Sequence, residues 1–371
     1  MGSVHVAEMW YGPTGAFKDL ALSVVGRLVD HFLKKRAETA TILVSTSGDT
    51  GSAAIHSVIN SRHINIVVMY PRDRVSRVQE LQMTTVHSPN VRVFSVDGTS
   101  DDQDVVMKKL STDNSFAKKY SITCINSVNV ARVLFQAVNF FYTYLQQCPE
   151  ANRDVLFCIP SGGLGNLAGG VIAREMGLPA KFLSAVNEND VVHRAFHQGE
   201  LLQMDLSTTY SSAMDIQIPY NIERVFYYMS GQQPDVVKMV MDNFEKGEKS
   251  VVPPKILESN NYVTTMRVTN EDTLSTMQHI WKEHGYLICP HTAVGMQALH
   301  TQSDRLHWEC QDKILFATAT PAKFPEILKQ AGLPLPSVPA IEKLYTLPET
   351  KEFLERGQNW EEKLKQAIAS L

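Results

Sequence analysis

Residues 154–176 read Asp-Val-Leu-Phe-Cys-Ile-Pro, then Ser-Gly-Gly-Leu-Gly-Asn, then Leu-Ala-Gly-Gly-Val-Ile-Ala-Arg-Glu-Met. The apolar run predicts a strand over 154–159, and the helical period returns over 167–176. Between them, Gly162, Gly163, Leu164, Gly165 and Asn166 let backbone N–H groups converge where a helix begins. Its partial positive charge adds to theirs, so the loop reads as a phosphate cradle. Gly163-Leu164-Gly165-Asn166-Leu167-Ala168 also satisfies the dinucleotide fingerprint, with Glu188 near the ribose-binding distance. A third reading is a glycine cluster that only permits close helix–sheet packing.

Moving outward, short β-branched runs at 4–10, 41–46, 65–70, 91–96, 181–186, 264–268 and 313–318 predict further strands. Amphipathic stretches at 20–36, 52–61, 75–86, 101–119, 131–146 and 270–284 predict helices, and 349–371 predicts one or two more. Strand followed by helix, repeated, defines an α/β fold with mostly parallel sheet, which binds ligands in strand-to-helix loops.

The chain has 371 residues, 44% hydrophobic and 20% charged, with a formal net charge of −4. That balance gives no electrostatic reason to expect nucleic acid or an anionic membrane as a partner. No apolar run reaches membrane-spanning length, and no signal pattern opens the chain. Five widely spaced cysteines without a CxxC pair argue against a disulfide framework or a zinc cluster. A cytoplasmic location is expected. His193 and His197 are spaced i, i+4 without a following Glu, which predicts a surface helix and no metal site. Arg62, Arg72, Arg74 and Arg77 form a loose basic group, either solvated or adding positive potential near an anionic substrate.

Three other features suggest chemistry. Lys18, in Gly12-Pro13-Thr14-Gly15-Ala16-Phe17-Lys18-Asp19, sits where a turn feeds a helix. An amine at the positive end of a helix is favoured uncharged, and a neutral amine is a nucleophile. Thr46-Ser47-Gly48-Asp49-Thr50-Gly51 follows a strand with hydroxyls, a carboxylate and two glycines. It could hold a substrate carboxylate at a helix N-terminus, although helix capping explains part of it. Thr318 closes the 313–318 run, with its hydroxyl expected at the top of the sheet.

In this order, the loops resemble the threonine synthase family of pyridoxal-phosphate enzymes. Further matches are Asn126-Ser127-Val128-Asn129-Val130-Ala131-Arg132, Ser212-Ala213-Met214-Asp215 with Asn221 to Arg224, Pro290 to Gly295, and Thr318 to Phe324. Within the family, Glu80 to Thr85 and Pro219 to Phe226 look most like the animal members.

The resemblance implies the tryptophan-synthase-β type fold (fold type II), two open α/β lobes with pyridoxal 5′-phosphate between them. The smaller lobe is expected at 40–125 and the larger at 1–39 and 126–371. Phe17 and Lys18 would form the cofactor-lysine motif, with Lys18 carrying the cofactor and shuttling protons. Asp49 would lie near the cofactor ring and the substrate carboxylate, with Thr46, Ser47, Gly48 and Thr50 binding substrate. Gly162, Gly163, Leu164, Gly165 and Asn166 would hold the cofactor phosphate, Thr318 the pyridine nitrogen, and Asn129 and Arg132 the substrate phosphate.

The activity implied is elimination of phosphate from a small phosphorylated amino acid, O-phosphohomoserine and/or O-phosphothreonine, to give 2-oxobutyrate, ammonia and phosphate. Threonine synthesis from O-phosphohomoserine is the alternative, and a non-catalytic binding or secreted short form a further one. The protein is expected as a monomer or homodimer, without metal. Departures from the family are Gly163 for Asn, Cys289 for Asp, Thr320 for His, and a start well after that of full-length relatives. A nicotinamide oxidoreductase built on the Gly163 fingerprint would leave Lys18 and the 46–51 loop without a role.

Overall fold

The computed structural model describes residues 4–302, 310 and 312–371. They form two compact units. The first contains the described residues up to Met9, those of Val133–Ala319, and Gln330–Leu333. Its sheet has five parallel strands in the order Val4–Glu8, Asp312–Ala317, Val155–Pro160, Ala180–Val186 and Val263–Arg267. Val155–Pro160 is buried at every position. This is why its sequence is continuously apolar instead of alternating. Phe140, Phe157, Phe182 and Phe316 cluster in this core, with Phe140 ring centroids 4.9–5.7 Å from the other three. Gly170 makes room for them: a Cβ there would lie 2.7 Å from the Phe182 ring and 2.9 Å from Phe140.

The second unit comprises Trp10–Arg132, Thr320–Lys329 and Pro334–Leu371. Its parallel sheet runs Glu352–Leu354, Val91–Val96, Ile64–Pro71, Ala40–Ser45, Ile122–Cys124. The helices Lys18–Arg36 and Asp49–Val58 pack closely at Gly26, where a Cβ would come within 2.6 Å of the Ser57 carbonyl. Leu43, Val67, Met69, Phe94 and Leu110 form the core beneath Leu354, Leu364 and Ile368.

The eight strands and six of the seven helices expected from the 4–318 pattern are present, with shifted ends. Two readings change. The expected 101–119 helix is two, Ser100–Thr112 and Asn114–Lys119. Asp113 between them takes extended backbone, and its carboxylate caps the second by accepting from the Phe116 N–H. The tail is a strand, Glu352–Leu354, followed by one helix, Trp360–Ala369. The 40–125 segment falls inside the second unit, which also takes in the Lys18–Arg36 helix and this tail. Helix packing and the strand pairing of Glu352–Leu354 with Phe94, Ser95 and Val96 place them there.

Candidate active site

Lys18 opens its helix, and a network of local bonds fixes the turn before it. The Asp19 carboxylate accepts from the Thr14 N–H (2.9 Å) and the Thr14 hydroxyl (2.8 Å). Gly12 leaves space for that carboxylate, since a Cβ there would meet it at 2.4 Å. No side chain caps the helix at Phe17. Lys18 therefore stands at an uncapped positive helix end. Its side chain is 15% exposed, with Nζ 3.6 Å from Asp49 Oδ2 and 4.8 Å from the Phe17 ring centre. Burial pushes the amine below its ordinary value; Asp49 opposes this, while Arg132 and Lys323 reinforce it.

Asp49 begins the next helix, after a loop that the threonine at its start closes. Thr46 Oγ1 accepts from the N–H groups of Gly48 (3.0 Å) and Gly51 (3.1 Å). Gly48 adopts φ 151°, and a Cβ there would lie 2.5 Å from Gln79 Nε2. Only glycine suits that conformation and that gap. Gln79 donates to Asp49 Oδ1 at 2.9 Å, and Lys323 Nζ reaches the same oxygen at 2.8 Å. Ser47 and Thr50 line the same loop, half-buried.

Arg132 is buried, donates to the Ile125 carbonyl at 3.2 Å, and is held by desolvation at about 10, below its usual range. Asn129 differs from a free substrate ligand: its Nδ2 donates to the Cys124 carbonyl (2.9 Å) and its Oδ1 accepts from the Ala131 N–H (3.0 Å). It shapes the turn into the Val130–Gln147 helix.

The glycine loop lies in the first unit. The Gly163 carbonyl accepts from the Asn221 N–H (3.2 Å) and Asn221 Nδ2 (2.7 Å). Gly162 lies against Met214, whose Cα a Cβ would meet at 3.0 Å. Leu164 takes φ 58°, turning the chain into the Gly165–Glu175 helix. Asn166, in the first turn of that helix, is 6% exposed, and neither its Nδ2 nor its Oδ1 has a hydrogen-bond partner. A buried amide in this state needs a polar ligand. Placed among the first N–H groups of a helix, it fits an anionic group such as a cofactor phosphate. Thr318 is buried directly after the Asp312–Ala317 strand.

Phe17, Lys18, Thr46, Ser47, Gly48, Asp49, Thr50, Asn129 and Arg132 thus belong to one unit, and Gly162, Gly163, Leu164, Gly165, Asn166 and Thr318 to the other. Sequence reasoning missed Lys323 and Gln79. Gln79 was signalled by the Ser76-x-x-Gln79 capping box; Lys323 by a lone charge in the run Pro321-Ala322-Lys323-Phe324.

Several other candidates have structural employment. Glu188 accepts from the Asn270 N–H at 3.0 Å, so its carboxylate serves a helix start and not a ribose. His193 and His197 both bond to Thr265, and no metal-binding group of His, Cys, Asp and Glu occurs among the described residues. Arg77 pairs with Glu80 and Glu349, and Arg72 lies 4.5 Å from the Phe353 ring centre. Much of that basic group thus binds the C-terminal tail. Cys289 accepts from the Thr292 N–H at the start of the Pro290–Gln302 helix, and Thr320 bonds through its N–H to the Gly15 carbonyl.

A lysine kept towards its neutral form, a glycine-rich helix start with an unpartnered amide, and two parallel sheets define the class. A family model described as pyridoxal-phosphate dependent enzyme matches residues 2–317. The chain is 42% identical to threonine synthase-like 2 of Xenopus laevis, over 99% of this chain and 78% of that protein. It is 41% identical to threonine synthase-like 2 of Homo sapiens, over 99% and 77% respectively. Among solved structures, pyridoxal-phosphate-bound threonine synthase from Brucella melitensis superposes with a TM-score of 0.88 at 32% identity, covering 99% of this chain and 78% of that one. The chain belongs to the threonine synthase family of pyridoxal-phosphate dependent enzymes, and its cofactor is pyridoxal 5′-phosphate.

Proposed function

We propose that the protein is a phospho-lyase that eliminates phosphate from O-phosphohomoserine and/or O-phosphothreonine. The products are 2-oxobutyrate, ammonia and phosphate. The observation that carries this reading is Lys18, an amine driven towards neutrality and facing Asp49 at 3.6 Å. When bound, the cofactor supplies an electron sink for the pair left by a broken Cα–H bond.

The chain's own residues provide the rest. Gly162, Gly163, Leu164, Gly165 and Asn166 are assigned to the cofactor phosphate, Phe17 and Asp49 to its ring, and Thr318 to the pyridine nitrogen. A hydroxyl there leaves that nitrogen less protonated than a carboxylate would. Thr46, Ser47, Gly48 and Thr50 are assigned to the substrate carboxylate. Arg132 is assigned to the substrate phosphate, for which its planar fork is suited; Asn129 acts by holding the turn before it. Lys18 Nζ takes the proton from the substrate Cα, and with O-phosphothreonine phosphate then leaves Cβ. With O-phosphohomoserine a second proton is taken from Cβ as phosphate leaves Cγ, and one proton is returned to Cγ. Loss of phosphate leaves an unsaturated amino acid, and one water then releases ammonia and the 2-oxo acid.

We favour release of the unsaturated product over addition of water at Cβ, which would give threonine, on the resemblance of Glu80 to Thr85 and Pro219 to Phe226 to the animal members. Likeness to a solved threonine synthase supports that second outcome. Helices of the described residues include none long and apolar enough to cross a membrane, and no disulfide joins the five cysteines. Free thiols suit a reducing compartment, and we infer a cytoplasmic one. Incubating the cofactor-loaded protein with each phosphorylated amino acid tests the proposal. Phosphate and 2-oxobutyrate are expected in equal amounts. Threonine as the main product would replace the lyase by the synthase, and absence of phosphate release would reject both.

A further inference from the structure

Lys323 is the second lysine at Asp49, and the reaction described above gives it no role. It ends the short 3-10 turn Pro321–Lys323 and is 0% exposed. An ammonium in that position is costly unless it is paired and its protons are bonded. Both conditions hold. Nζ lies 2.8 Å from Asp49 Oδ1 and donates to the Thr14 carbonyl at 2.9 Å. Thr14 belongs to the turn that aims Lys18, and its carbonyl also accepts from Gln82 Nε2 at 2.9 Å. The Lys323 carbonyl accepts from the Ser76 hydroxyl at 2.6 Å, tying it to the capping box that contains Gln79. The Lys323 side chain therefore joins the Lys18 turn to the carboxylate facing Lys18, and its backbone carbonyl ties it to the helix that steadies that carboxylate.

The two oxygens of Asp49 have different duties. Oδ1 accepts from Gln79 and faces Lys323, whereas Oδ2 faces Lys18. A carboxylate alone beside Lys18 would favour its ammonium form. With one oxygen neutralised at 2.8 Å, the carboxylate can orient Lys18 without holding it charged. We propose that Lys323 is a positioning residue for Lys18, compensating Asp49 so that Lys18 remains available as a neutral amine. The proposal rests on Lys18 being the cofactor lysine. The charged groups acting on Lys18 are consistent with it: Asp49 favours the ammonium, and Arg132 and Lys323 oppose it. Asp19, on the same helix as Lys18, is bonded to Thr14, and His56 on the Asp49–Val58 helix feels both Asp19 and Lys323.

The test is trace acetylation of the cofactor-free protein with acetic anhydride across a pH series, reading the Lys18 peptide by mass spectrometry. Lys323→Gln keeps a donor near Asp49 without charge, and Lys323→Met removes both. In each, the Lys18 midpoint should move to higher pH, and its labelling at neutral pH should fall severalfold. Lys323→Arg should stay near the parent protein. The pair Asp49→Asn with Lys323→Gln removes both charges and should restore Lys18 labelling, even if the single changes weaken folding. A Lys18 midpoint unmoved in folded Lys323→Gln, or lowered by it, would overturn the proposal and leave Lys323 as a purely structural anchor. Cofactor fixed by borohydride on Lys18 of the parent protein reads the cofactor-lysine assignment separately, so the two failures are distinguishable.

Discussion

Lys18 Nζ and Asp49 Oδ2 stand 3.6 Å apart, each at the first residue of its own helix. The relationship is asymmetric, because Asp49 also faces Lys323, while Lys18 gains two opposing cations in Arg132 and Lys323. The carboxylate is the group that favours the Lys18 ammonium. In Asp49→Asn, the Lys18 labelling midpoint should therefore move to lower pH. Turnover should nevertheless fall about 10²-fold, since a misplacement of about 1 Å costs that much. Labelling of the cofactor-free protein and steady-state kinetics of the loaded one check the two halves.

Asp104 makes stability depend on pH. Burial pushes its carboxyl up to about 7, the Ser45 hydroxyl that donates to it opposes this, and Asp101 adds to it. A folded value above the unfolded one, about 4, means that the folded protein holds a proton the unfolded chain releases. The contribution of Asp104 is thus complete below about pH 4 and lost as pH rises through about 7. Asp104→Asn should flatten that fall. Urea unfolding at about pH 5 and pH 8, with other groups common to both proteins, reads the difference.

Gly170 predicts a packing cost. A methyl group there meets the Phe182 and Phe140 rings at 2.7 and 2.9 Å, in a core where Phe140 contacts three other phenylalanines. Gly170→Ala should destabilise the protein by about 1–3 kcal/mol. Denaturant midpoints measure this. Helix propensity alone would act in the opposite direction, by about 1 kcal/mol.

Legibility in the sequence followed locality. The strand, glycine loop and helix around Gly163 could be read because their residues are contiguous and their periods differ. Lys18 and the loop ending at Asp49 stood out for the same reason. Lys323 did not, because a single lysine after a strand reads as solvated, and only tertiary packing reveals its complete burial. The tail strand Glu352–Leu354 has three residues, too few for alternation to register, and its pairing partner Val91–Val96 is distant in the chain. Asn129 was a family match whose amide the local backbone occupies.

The most direct measurement is the position of the cofactor. The protein reconstituted with pyridoxal phosphate and reduced with borohydride should carry a stable cofactor adduct on the peptide containing Lys18, and none in Lys18→Ala. Lys323 is the informative competitor, because it too is buried beside Asp49. An adduct on Lys323 in the parent protein, or none on Lys18, would contradict the account.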